Sequence, residues 1–261
     1  MSRPQPMAAS PSGRGALVIG ASSGIGAAVV GELARRGYTV ALVARRGDML
    51  SRLRDQFNQS TGDIRVRIYA HDVRDYDAVP ELLGQIVSDL GGQRLEMVVY
   101  TAGIMPEGEM GAWPFEEERA MIETNTIGAI RWLGLAADIL RAQGRGTLVG
   151  VSSVAGERGR RGNGVYQASK AALTTWLESL RYRLKDSGVR VTTIKPGYVA
   201  TPLTTGLNLP RRMVISADDA ARRIVTAAER GRAVVYVPGY WRPIMWIIRH
   251  LPAFLMARLP L

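Results

Sequence analysis

The sequence predicts an α/β fold: a doubly wound parallel sheet of about seven strands with helices on both faces. Short apolar, β-branched runs alternate along the chain with longer amphipathic ones. The short runs lack polar alternation, as strands covered on both faces do. The first of them ends in a glycine-rich turn that opens directly into a helical pattern.

The elements follow in order. An all-apolar strand at 16–20 leads through the glycine turn into a helix at 25–36. A strand at 39–44 ends on two arginines and precedes a helix at 49–59. Strands at 65–70 and 97–100 flank a helix at 78–90. One long helix at 115–142 precedes a strand at 146–151, and a helix at 166–187 precedes a strand at 190–194. A helix at 217–230 and a strand at 233–237 complete the pattern. Right-handed crossovers turn such repetition into a doubly wound sheet. The division expected is a Pro/Ser/Gly-rich disordered leader at 1–14, one domain at 15–238 and an apolar, basic tail at 239–261.

Composition narrows the chemistry. With no cysteine and two histidines, neither disulfides nor a cysteine- or histidine-rich metal site is expected. The formal charge of +11 favours anionic ligands or surfaces. No nucleic-acid motif, and no basic stripe with stacking aromatics outside the tail, accompanies that charge, so no nucleic-acid partner is expected. No run approaches the length of a spanning helix, and 1–14 lacks the apolar stretch of a signal peptide. The location expected is the cytoplasm.

Tyr166 and Lys170 carry the sharpest signal. The chain has three lysines and nine tyrosines, so chance supplies a Tyr-x-x-x-Lys about 0.1 times. On a helix the two share a face, and a cation beside a phenol favours its ionised form. That is a route to an acid/base from a side chain that ordinarily titrates near 10. Ser152 and Ser153 lie just upstream, Ser153 by 13 residues.

The turn Gly20-Ala21-Ser22-Ser23-Gly24-Ile25-Gly26 has the context of a pyrophosphate cradle at a helix N-terminus. After the second strand stand Arg45 and Arg46, where an acid would bind a ribose 2′-hydroxyl; basic residues suit a 2′-phosphate instead. NADP(H) is therefore expected over NAD(H), with Arg45 the first candidate and Arg46 and Ser22 assisting. Asp72, followed by Val73, stands either to meet an adenine amino group or to cap the next helix.

Together these residues resemble the classical short-chain dehydrogenase/reductase family. The matching pieces are Gly20–Gly26, Asp72-Val73, Ala102-Gly103, Asn125, Ser152-Ser153, Tyr166/Lys170, and Pro196-Gly197 with Thr201, over about residues 15 to 205. The resemblance implies a Rossmann-like fold and an NADP(H)-dependent oxidoreductase that reduces a carbonyl or oxidises a secondary alcohol. It implies Tyr166 as general acid/base, Lys170 lowering its pKa and binding the nicotinamide ribose, and Ser153 holding the substrate oxygen. It implies a relay through Asn125 to Lys170. Pro196, Gly197 and Val199 would border the nicotinamide, and Thr201 would bond its carboxamide or a phosphate. It also implies a homodimer or homotetramer packed through helices near 115–142 and 166–187. A structural reading stands beside several of these: Asn125 as a helix kink, Thr201 as a turn cap, Ser152 as a packing residue. The alternative function is a non-catalytic NADP(H)-sensing protein on the same fold. One departure stands out: Tyr100-Thr101 occupies the place of the family's Asn-Asn, which predicts altered local packing.

The tail is unusual. No acidic residue follows Glu229, and aromatic, aliphatic and arginine residues mix from 239 to 261. It reads either as amphipathic pieces at 243–250 and 253–259 on an anionic membrane, or as a lid or subunit contact. Both readings point to a hydrophobic or lipid-like substrate, with Leu207, Leu209, Met213, Val214 and Ile215 available to line a pocket. The loop carrying Glu157, Arg158, Arg160 and Arg161 reads either as solvated or as a border to an acidic substrate group.

Overall fold

The computed structural model describes residues 13–61, 66–91, 94–106 and 114–258. Its seven strands are β1 (Arg14–Ile19), β2 (Tyr38–Ala44), β3 (Val66–Ala70), β4 (Arg94–Tyr100), β5 (Gly146–Val151), β6 (Val189–Pro196) and β7 (Val234–Val237). They form one sheet in the order β3-β2-β1-β4-β5-β6-β7, and every pairing is parallel. Parallel neighbours need crossovers, and helices supply them. These are α1 (Gly24–Arg35), α2 (Gly47–Thr61), α3 (Val79–Asp89), α4 (Phe115–Ile122), α5 (Gly128–Gln143), α6 (Gly164–Arg183) and α7 (Ala217–Glu229). Two short helices follow β7, α8 (Trp241–His250) and α9 (Ala253–Met256). The doubly wound fold expected from the sequence is the fold observed.

Alternate residues of the central strands serve opposite faces, because side chains alternate across a strand. Leu17, Ile19, Val98 and Tyr100 pack with Trp132 and Leu133 of α5 and Leu173 and Leu177 of α6. Ala16, Val18, Met97 and Val99 pack with Val29, Leu33 and the apolar side of α7. Both faces are therefore dry, which is why the strands read as continuous apolar runs. The order reverses between β1 and β4, and ligands of such sheets bind outside the strands' carboxyl ends at this point.

Several boundaries differ from expectation. β1 begins at Arg14, inside the expected leader, because Arg14 pairs with Glu96 at 2.9 Å and Glu229 at 3.3 Å. Residues 1–12 of that leader, Arg65 at the expected start of the third strand, and Leu259 to Leu261 lie outside the described residues. The expected helix 115–142 is interrupted by a π-type turn over Glu123–Ile127. Its apolar periodicity runs through the interruption, so the pattern alone does not reveal it. α3 starts at Val79 with Ala78 at its N-cap, so Asp72 caps no helix.

Candidate active site

Two connected clefts open at the switch point. The larger, about 600 Å³, is lined by Gly20, Ser22, Ser23, Gly24, Ile25, Gly26, Arg45, Arg46, Asp72, Val73, Ala102, Gly103 and Thr201. The second, about 290 Å³, is lined by Ser153, Tyr166, Lys170, Pro196, Gly197, Val199 and Thr201. Every residue expected from sequence to bind cofactor or to carry the chemistry lines one of the two, except Asn125, which sits behind them.

The first cleft has the form of a nucleotide cradle. Gly20 leaves β1 at φ +87°, and a Cβ there would lie 2.2 Å from the Ala102 nitrogen. Only glycine permits both the conformation and the approach. Ser23 is the extended N-cap of α1 and makes no side-chain cap bond, so no side chain occupies the first amides. Those amides and the positive end of the helix dipole face the cleft, as phosphate binding requires. Arg46 donates to Ser22 Oγ at 3.0 Å, while Arg45 lies 3.9 Å from Asp72. Asp72 is bonded chiefly by Arg74, to its side chain at 2.8 Å and its backbone at 3.0 Å. The Arg74 bonds hold the Asp72 carboxyl below its usual range.

Thr101, where the family has asparagine, braces the cradle with one hydroxyl shared between the carbonyls of Ile19 (2.9 Å) and Gly20 (3.1 Å). Tyr100 is fully buried and donates to Thr124 O at 2.6 Å. The altered packing expected here is thus a hydroxyl tie to β1 and a phenol tie to the π-type turn.

The chemistry-bearing residues converge beyond β5. Ser153 follows the strand, accepts from Ala155 N–H at 3.0 Å, and its hydroxyl acts on the Tyr166 phenol against the effect of burial. Tyr166 and Lys170, one turn apart on α6, are both buried. Lys170 Nζ donates to Val151 O at 3.1 Å and lies 5.7 Å from the centre of the Tyr166 ring. Burial raises the Tyr166 phenol above its ordinary value, opposed by the Ser153 bond and the charge of Arg160. Burial also lowers the Lys170 ammonium to about 8.

Asn125 lies in the π-type turn, a feature that recurs at functional sites. It accepts from Ile104 N–H (2.8 Å) and donates to Ile104 O and Ser169 Oγ, each at 3.0 Å. A Cβ on Gly103 would lie 3.2 Å from Lys170 Nζ and 3.3 Å from Asn125 Oδ1, so the two groups flank one point. Asn125 thus sits in the kink, as its structural reading expected, and beside the lysine. Ser152 faces away, bonded to Lys170 O and Thr174 at 2.8 Å each. Thr201 caps the turn Pro202–Thr204, its N–H donating to Thr204 Oγ1 at 3.1 Å, and still lines both clefts.

The tail takes one of the placements expected for it. α8 packs on its own domain: Trp241 and Met245 are buried against Val154, with Tyr198, Met213 and Tyr236 alongside. Trp241 lies over Gly197, where a Cβ would come within 1.8 Å of its ring nitrogen. The loop expected to be solvated instead fastens this roof. Arg158 donates to Arg249 O (2.8 Å) and Leu251 O (3.0 Å). The Glu157 side chain is 2% exposed and pairs with Lys195 and, at 3.3 Å, Arg249. Tyr236 donates to the same carboxylate at 2.9 Å. Burial alone would raise Glu157; the Lys195 and Tyr236 bonds and the Arg249 charge hold it below its usual range. Of the apolar residues expected in the pocket, Leu207 lines it, joined by Leu203. Leu209 and Val214 do not; Met213 packs under Trp241 and Ile215 pairs with Val199. Trp241 was missed as a pocket residue because nothing in its neighbours encodes its contact with Gly197, 44 positions earlier.

Comparison with known proteins agrees with this geometry. The family model described as short chain dehydrogenase matches residues 14–212. An uncharacterized oxidoreductase of Myxococcus xanthus is 40% identical over 225 residues, covering 86% of this chain and 87% of that protein. A short-chain type dehydrogenase/reductase from Mycobacterium ulcerans superimposes with a TM-score of 0.78 at 26% identity, over 87% of this chain and 88% of its own. An alcohol dehydrogenase from Thermococcus sibiricus, solved with 5-hydroxy-NADP, has a TM-score of 0.75 at 26% identity, over 85% and 94%.

Proposed function

The chain belongs to the short-chain dehydrogenase family of oxidoreductases, and from that premise we propose that it is an NADP(H)-dependent carbonyl reductase or alcohol dehydrogenase with Tyr166 as its acid/base. The observation that carries this reading is the convergence of Ser153, Tyr166 and Lys170 on a pocket that joins the nucleotide cradle. When bound, the nicotinamide supplies or accepts the hydride. The protein's own residues do the rest. Ser153 holds the substrate oxygen and Tyr166 gives it a proton as negative charge develops there. Lys170 meets the ribose hydroxyls, and Asn125, beside it, joins the path by which Tyr166 recovers its proton.

The preference for NADP(H) rests on Arg46 held by Ser22 and on Arg45 at the rim of the same cleft, where a 2′-phosphate would gain charge-assisted bonds. The substrate is proposed to be apolar or lipid-like, because Met105, Val154, Leu203, Leu207 and Trp241 line its pocket. A purely sensing role is disfavoured: binding a nucleotide requires neither Ser153 nor a buried phenol. Assembly as a homodimer or homotetramer is supported by Phe115, Ile127 and Ile130 of the long helical segment and Tyr182 of α6, all exposed. No helix among the described residues is long and apolar enough to cross a membrane. The outer face of α8 and α9, with exposed Trp246, Ile247 and Phe254 beside Arg242, Arg249 and Arg258, suits peripheral contact with an anionic membrane from the cytoplasmic side.

The test is NADPH oxidation with a panel of apolar ketones. Turnover by the wild type, NADPH favoured over NADH, and a loss of about 10²–10⁴ in kcat for Tyr166→Phe are expected. An absence of turnover across the panel, with no preference for NADPH in binding, contradicts the reading.

A further inference from the structure

We propose that Arg160 is an anion-binding residue of the substrate pocket, so that the substrate carries a carboxylate on an apolar body, near its reacting carbonyl. The inference rests on the reductase reading for the identity of the pocket, and it names what that pocket selects.

Arg160 lines the cleft that holds Ser153 and Tyr166. No aspartate or glutamate lines that cleft, and among the described residues no carboxylate pairs with Arg160. The nearest acid in sequence, Glu157, is taken by Lys195, Tyr236 and Arg249. Arg160 is half-buried in a cleft walled by Met105, Leu203 and Leu207. A part-buried guanidinium beside apolar surface and without a counter-charge is positioned to gain charge-assisted bonds from an anion. Its planar fork matches a carboxylate in bidentate fashion.

The backbone that carries Arg160 is held in register with the reacting centre. Gln167, buried and next to Tyr166 on α6, accepts from Arg160 N–H at 2.6 Å and donates to the carbonyls of Arg160 and Gly162. The charge also reaches the site: it is one of the two influences that lower the Tyr166 phenol. An anion seated on Arg160 would therefore lie within a substrate's length of the phenol that protonates the reacting carbonyl.

The test measures binding, which separates the subsite from the reaction. Benzoylpropionate and its methyl ester are titrated into the enzyme saturated with NADP⁺, which prevents reduction, using wild type, Arg160→Leu and Arg160→Lys. The acid is expected to bind the wild type about 10-fold or more tightly than the ester. Arg160→Leu should abolish that difference and leave the ester within about 2-fold, Arg160→Lys should retain part of it, and salt should narrow it. Equal binding of acid and ester by the wild type, or a parallel loss of both in Arg160→Leu, overturns the proposal. Turnover with NADPH is then measured on the same pair. Acid-selective binding without turnover keeps the subsite and sinks the reductase reading. Turnover of both without selectivity does the reverse.

Discussion

At the scale of single residues, burial acts on the two titrating groups of the site in opposite directions: it favours the neutral phenol of Tyr166 and the neutral amine of Lys170. A phenol kept protonated through neutral pH is suited to giving a proton in reduction, while the oxidative direction needs the phenolate and should quicken as pH rises. On the proposed mechanism, Lys170 sets the alkaline limit. With its pKa lowered to about 8, kcat/KM for reduction in the free enzyme should fall as pH rises through that value. The same shift is a stability statement. The folded pKa lies below the ordinary 10.5, so folding disfavours the charged form. The penalty is fully present below about 8 and disappears above about 10.5. Urea unfolding of wild type against Lys170→Met, near pH 7 and near pH 10, should show the wild type gaining roughly 2–3 kcal/mol relative to the variant at the higher pH. A pH-independent difference would show that Lys170 is not held as described. The Tyr–Lys spacing was legible in the sequence because one helical turn encodes it. The low pKa was not, because it arises from burial under β5 and α6.

At the scale of elements, the sheet and its helices were legible because each is written in local periodicity, and the cradle because a strand, a glycine turn and a helix are contiguous. What escaped is long-range. Glu157 and Arg249 are 92 residues apart, and neither position marks the other. The π-type turn escaped because a single inserted residue leaves the apolar pattern almost unchanged. α8 closes the pocket through Trp241 over Gly197, a contact that no side chain at 197 could tolerate. Gly197→Ala should therefore destabilise the protein by about 1–3 kcal/mol through overpacking. The double variant Gly197→Ala/Trp241→Ala should lose less than the two single changes added together. Additive losses in thermal or urea unfolding would mean that roof and β6 are not coupled.

At the scale of the whole molecule, a chain of net charge +11 gathers arginines and exposed apolar side chains on α8 and α9, a stretch that holds no acidic residue of its own. If α8 and α9 meet an anionic bilayer, full-length protein should pellet with phosphatidylglycerol vesicles at low salt. Trp246→Glu/Ile247→Glu should abolish pelleting while leaving ketone reduction in solution unchanged, since neither residue lines the pocket. No pelleting by the wild type contradicts that assignment and leaves the exposed face to subunit contact. The central claim concerns the reaction itself, and deuteride transfer tests it most directly. Wild type is incubated with a reducible apolar ketone and NADPH deuterated at the transferable position, alongside Tyr166→Phe, and the alcohol is analysed by mass spectrometry. The account predicts deuterium on the former carbonyl carbon with wild type. It predicts a rate at least about 100-fold lower for Tyr166→Phe at unchanged NADPH affinity. Product without deuterium at that carbon, or a Tyr166→Phe enzyme that transfers label at the wild-type rate, would contradict it.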